Sequence, residues 1–155
     1  ELDRLWVKWT FFFIGENIAD FKNEVIEILN RWHKVWNHSF THRQFNKITL
    51  NRAKLEVEKS DTLIRDIISK SNQDPDQEMY FRYPYWAEIS NSIKKNFEEF
   101  LSELKLQKLS WDVDTNDWRS RVSEKRVKKD ILSARNQEIV LVHDKIKTLN
   151  ALKSI

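Results

Sequence analysis

Only one glycine, Gly15, and two prolines, Pro75 and Pro84, interrupt the 155 residues of this chain. Glycine enters left-handed backbone without steric cost, and proline lacks the amide hydrogen that a helix needs. An average chain carries roughly 7% glycine and 5% proline. A sequence so poor in breakers has few places to turn, which predicts a small number of long helices. Cysteine is absent as well. That removes disulfides, thiolate nucleophiles and sulfur-ligated zinc, and it leaves the compartment open with a slight lean to the cytoplasm.

The apolar pattern agrees with long helices. Ile18, Phe21, Val25, Ile28, Trp32 and Val35 recur at alternating steps of three and four, the seam of a helix packed lengthwise on a neighbour. Leu5, Trp9 and Phe12 extend the seam upstream, so a first helix is predicted from about Leu2 to Asn37. Leu50, Ala53, Val57, Ser60, Ile64 and Ile67 predict a second, ending near Lys70. Ser71 to Pro84 has turn chemistry. A third helix follows to about Leu109, and a fourth runs from Thr115 to about Lys153. The expected fold is all-α: an elongated antiparallel four-helix bundle with coiled-coil-like seams, in a single helical domain over residues 1–155.

The segment Leu5 to Ile14 is strongly apolar but far shorter than the roughly 20 residues of a membrane span. Charge is uneven along the chain. Residues 1–78 carry a net −1 and residues 79–155 a net +4.

Catalytic constellations are hard to assemble from this pattern. A phosphate-cradling loop cannot be built with one glycine. Acid pairs such as Glu56/Glu58, Glu98/Glu99 and Asp112/Asp114 read as solvated surface. His33, His38 and His42 lie close in sequence, and the spacing of His38 and His42 suits two ligands on one helical face. The pair straddles an expected turn, however, with no acid nearby, so solvated or capping histidines are expected. No metal, cofactor, small-molecule substrate or enzymatic activity is expected on these grounds.

Surface features point instead to binding. Trp6, Trp9, Phe12 and Phe13 offer more apolar surface than one bundle face can bury, and Tyr80, Phe81, Tyr83, Tyr85 and Trp86 cluster around the long break. These residues suggest a helical interaction or assembly module that binds another protein chain or itself. The alternative is a nucleic-acid or anionic-membrane binder. Its basic stripe would hold phosphates through Arg119, Arg121, Lys125, Arg126, Lys128 and Lys129. Third, Arg31 and His38, in the run Arg31-Trp32-His33-Lys34-Val35-Trp36-Asn37-His38, resemble the Arg-then-His motif of the HEPN superfamily. That resemblance implies an all-α ribonuclease in which Arg31 holds phosphate and His38 does acid–base work on a ribose 2′-hydroxyl.

Overall fold

Thr10-Phe11-Phe12-Phe13 lies on the predicted first helical seam, yet it is extended. The computed structural model describes residues 1–155 and is an α/β fold, so the all-α bundle is overturned. Strand β1 (Thr10–Phe13) pairs in parallel with β2 (Lys34–Asn37), aligning Phe11 with Val35 and Phe13 with Asn37. Strands β3 (Met79–Phe81) and β4 (Leu106–Lys108) complete a parallel sheet in the order β1-β2-β3-β4. The first three strands are rich in aromatic and β-branched side chains, which suit a pleated, half-buried surface. Parallel neighbours need crossovers of a dozen or more residues. Helices α1 (Lys22–Asn30), α2 (Leu50–Ile68) and α3 (Asn91–Glu103) lie in those crossovers.

The second predicted helix survives best. In α2 the Thr49 side chain caps the first turn by accepting from the Arg52 amide at 3.3 Å. Ala53, Val57, Ser60, Ile64 and Ile67, five of its six seam residues, are buried. The other helices are much shorter than predicted. Of the long first seam, Val25 is buried in α1 while Val35 is buried in β2. The core centres on Phe45, Phe81, Tyr83 and Phe97, whose ring centroids lie between 4.9 and 6.0 Å apart.

Turns are made without glycine. Nine non-glycine residues have left-handed backbone: Trp6, Trp32, Ser39, His42, Tyr85, Trp86, Lys105, Asn116 and Gln137. Trp32 stands where glycine usually ends a helix. Its amide donates to the Leu29 carbonyl at 2.9 Å and the His33 amide to Ile28 at 3.2 Å, the paired bonds of a Schellman ending. Gly15 serves a different need, close approach. A Cβ there would stand 2.8 Å from Phe40 Cδ2 and 3.1 Å from Ser60.

The chain groups into two compact units, Lys8–Leu109 around the four-stranded sheet and Glu1–Val7 with Ser110–Ile155. In the latter, β5 (Val113–Asp114) pairs in parallel with β6 (Val140–Leu141). Two helices, α4 (Glu124–Ser133) and α5 (Ile146–Lys153), follow those strands in the chain. The predicted fourth helix is therefore two helices and one strand, β6, with β5 just ahead of it. Ser123 caps α4, accepting from the Arg126 amide at 3.3 Å, and Thr115 is buried and donates to the Leu141 carbonyl at 2.9 Å.

Candidate active site

In open parallel sheets, ligands sit beyond the carboxyl ends of the strands. His38 directly follows β2, and Arg82 directly follows β3. The loop His38-Ser39-Phe40-Thr41-His42 is fixed from several sides. The Gly15 and Glu16 amides donate to the Ser39 and Phe40 carbonyls at 2.9 and 3.0 Å. The Ser39 amide donates to Asn37 Oδ1 at 2.9 Å, while Asn37 Nδ2 reaches the Val57 carbonyl at 2.9 Å. The Thr41 amide and hydroxyl both donate to the Glu56 carboxylate, at 2.7 and 2.8 Å. Glu56 is buried and also accepts from Arg52 at 2.7 Å. Burial pushes the Glu56 carboxyl up, but the bonds from Thr41 and Arg52 outweigh it and hold the group below the ordinary glutamate range.

This loop turns His38 and His42 toward each other, with their Nε2 atoms 3.2 Å apart. His38 Nδ1 lies 2.7 Å from the Arg82 carbonyl oxygen. A carbonyl only accepts, so Nδ1 carries the hydrogen and Nε2 of neutral His38 carries the lone pair. A bond of this kind behind the ring is what orients a histidine that ligates a metal. Two nitrogens at about 2.0–2.1 Å from one tetrahedral ion stand about 3.3 Å apart, so the observed pair fits two ligands of such an ion. No group of three or more His, Cys, Asp or Glu side chains gathers around a single point, so the pair is two donors and not a full set. The histidines are therefore not solvated as expected, and His38 is buried. His33 has a different task, accepting from the Trp9 amide at 3.2 Å.

Arg82 brings a cation to the same strand ends. Its Cζ lies 4.6 Å from the Phe12 ring centroid, and burial lowers its pKa to about 10, which leaves it charged at neutral pH. Tyr83 packs in the core, and burial raises its phenol. Tyr85 emerges from the turn with its ring 4.5 Å from that of His42. A cavity of about 320 Å³ opens beside them, lined by His42, Arg43, Gln44, Lys47, Ile48 and Tyr85.

The second unit holds a separate acid–base pair. Asp117, three residues past β5, is fully buried. One of its oxygens lies 2.7 Å from His143 Nδ1, and the other accepts from the His143 amide at 2.6 Å and from the Thr148 hydroxyl. Burial pushes the Asp117 carboxyl up, yet the bonds from His143 and Thr148 outweigh it and hold it below the usual aspartate range. Sequence reading missed this pair, because both residues fell inside one predicted helix. The available signal was an Asp and a His just past two short strands.

The residues singled out as surfaces are dispersed. Phe12 and Phe13 are half-buried in β1, Phe81 and Tyr83 are buried, and Tyr80 and Trp9 are half-buried. Trp6, Tyr85 and Trp86 are exposed. Lys125, Arg126, Lys128 and Lys129 lie on α4, but Arg119 and Arg121 precede it, so the basic residues do not share one helix. Arg119 stacks on Trp118 with Cζ at 4.7 Å, Arg126 pairs with Asp130 at 2.8 Å, and Lys128 donates to the Ser154 carbonyl.

A family model described as polysaccharide deacetylase matches residues 2–108. The chain belongs to the polysaccharide deacetylase family. A peptidoglycan-N-acetylglucosamine deacetylase of Listeria monocytogenes is 31% identical over 154 residues, covering 97% of this chain and 29% of that protein. One from Bacillus cereus is 27% identical over 113 residues, covering 73% of this chain and 37% of the relative. A CE4-family pseudoenzyme from Bacillus anthracis has the same fold, with a TM-score of 0.81 at 23% identity over 99% of this chain and 50% of that one. The chain thus spans between about three-tenths and one half of the length of the first curated relatives it matches.

Family membership corrects the functional expectations. The two relatives from Listeria monocytogenes and Bacillus cereus are named as deacetylases of peptidoglycan, which overturns the helical interaction module, the phosphate-binding alternative and the expectation of no enzyme and no small-molecule substrate. The HEPN-like reading falls with the all-α fold. Arg31 ends α1 and pairs with Glu27 one turn back, while His38 is committed to Arg82 and His42.

Proposed function

We propose that this chain works in removing N-acetyl groups from an amino-sugar polymer of the peptidoglycan kind. The observation that carries the reading is the His38–His42 pair, locked at 3.2 Å at the carboxyl end of a parallel sheet. Family membership and the names of the relatives support it.

Amide hydrolysis needs a polarised acetyl carbonyl, an activated water and a proton for the departing amine. His38 and His42 would hold a divalent cation, which when bound supplies Lewis-acid polarisation and lowers the pKa of water. The Arg82 carbonyl holds His38 in the tautomer that presents Nε2, and the bonds to Glu56 hold the loop. The Arg82 guanidinium adds fixed positive charge, suited to an oxyanion or a released carboxylate. In the second unit, Asp117 at Nδ1 fixes the His143 ring and its tautomer.

The test is acetate release from N-acetylglucosamine oligomers and from peptidoglycan, by the unaltered protein and by His38→Ala and His42→Ala proteins that still fold. Release that each substitution abolishes supports the reading. No release by the unaltered protein on either substrate, with divalent cation supplied, contradicts it and places the chain with the family's pseudoenzymes.

A further inference from the structure

Phe45 is fully buried against Phe81, Tyr83 and Phe97, and it pins the short helical turn Phe45–Lys47 that follows the histidine loop. The backbone fixes this turn as well, with the Lys47 amide donating to the Gln44 carbonyl at 3.1 Å. Arg43 and Lys47 stand on either side of the anchor, both exposed, and both line the cavity beside His42. No carboxylate lines that cavity. Arg43 reaches Glu56 Oε1 only at 3.8 Å, outside hydrogen-bond distance, and that oxygen already accepts from Thr41 at 2.8 Å and Arg52 at 2.7 Å. One carboxylate therefore faces two guanidiniums and leaves a net positive charge. Several exposed cations elsewhere in this unit are instead matched one helical turn away, Arg31 by Glu27, Lys70 by Asp66 and Lys95 by Glu99.

Like charges that line one concavity repel each other, and low-dielectric walls focus their field outward. Stability gives no reason for that arrangement, whereas an anionic ligand does. Arginine presents a planar fork that matches a carboxylate, and lysine adds a mobile point charge. Arg43 directly follows His42, so its charge stands beside the pair that would act on the acetamido group. An anion drawn to it must lie close to that group on the sugar. We propose that Arg43 and Lys47 select a sugar that carries an ionised carboxylate next to its N-acetyl group. A carboxyl-bearing ether on the ring oxygen beside the acetamido carbon, as in N-acetylmuramic acid, meets that description. A phosphate on the 6-oxygen does not, because it leaves the ring on the far side. What is done to the acetamido group rests on the deacetylase reading, whereas the preference in binding does not require hydrolysis.

NMR titration with N-acetylglucosamine, N-acetylmuramic acid and N-acetylglucosamine 6-phosphate tests this on the unaltered protein, on Arg43→Gln, on Lys47→Gln and on the double variant, beside thermal melting. The unaltered protein should bind the muramic acid about fivefold tighter than the neutral sugar at about 0.05 M salt, and most of that gain should vanish at about 0.5 M. Arg43→Gln should remove most of the gain, Lys47→Gln less, and the double variant all of it. Affinity for the neutral sugar and the melting temperature should stay unchanged in each. The proposal is overturned if the unaltered protein binds neither sugar or binds both equally, if the preference survives in the double variant, or if affinity for the neutral sugar falls as far as that for the acid. An equal gain for the 6-phosphate also overturns it, because that marks unspecific attraction of anions. A carboxylate preference without acetate release from oligomers or peptidoglycan keeps this inference and sinks the deacetylase reading, and acetate release without the preference does the reverse.

Discussion

His38 in the sheet unit and His143 in the second unit are both oriented through Nδ1, but by different partners. His38 faces the neutral Arg82 carbonyl, and His143 faces the buried Asp117 carboxylate. A carbonyl fixes a tautomer without favouring a second proton, so it leaves Nε2 of His38 as a lone pair for a cation. A carboxylate steadies the ring when it becomes an imidazolium, so His143 is suited to carry a proton. One residue type serves two chemistries, and the group behind the ring decides which.

Several substitutions would break or sharpen this contrast. The largest effect is expected at the pair itself, where His38→Ala or His42→Ala should lower acetate release by about 10³-fold or more, through loss of the cation. His143→Ala should keep the cation bound and destabilise the fold by about 1–3 kcal/mol, because it leaves the buried Asp117 carboxylate one bond short. Asp117→Asn sharpens the point through stability. The folded Asp117 pKa lies below its unfolded value, so its contribution is present above the unfolded pKa of about 3.9 and lost as pH falls through the folded pKa. Acid unfolding of the unaltered protein below about pH 4 should therefore be less steep in the Asn variant, as read by circular dichroism. Supports further out should matter less to chemistry and more to stability. Glu56→Ala, which releases the loop of His38 and His42, should destabilise by about 3 kcal/mol in a denaturant titration. Gly15→Ala should cost about 1–3 kcal/mol, since its Cβ would press on Phe40 and Ser60.

Parts of the molecule were legible in the sequence, and their limits have physical causes. The seam from Leu50 to Ile67 is long enough for periodicity to be decisive, and its helix is real. Thr10–Phe13, Lys34–Asn37 and Met79–Phe81 are too short for that. A run of three or four apolar residues fits a helical stripe and a buried strand equally well. The shortage of glycine misled more deeply, because Trp32, Ser39, His42, Tyr85 and Trp86 take left-handed backbone where glycine would be expected to turn the chain. The spacing of His38 and His42 was visible, but the pairing depends on a turn held by Gly15, Asn37 and Glu56, which lie apart in sequence. Asp117 and His143 are 26 residues apart, and only the parallel pairing of Val113–Asp114 with Val140–Leu141 brings them together.

The division of labour between the two histidines is tested most directly by calorimetric titration of Zn²⁺ into the unaltered protein and its His38→Ala, His42→Ala and His143→Ala variants. Binding that disappears in the first two and persists at unchanged affinity in the third is the predicted result. Tight binding that survives loss of His38 or His42, or that vanishes with His143, would contradict it.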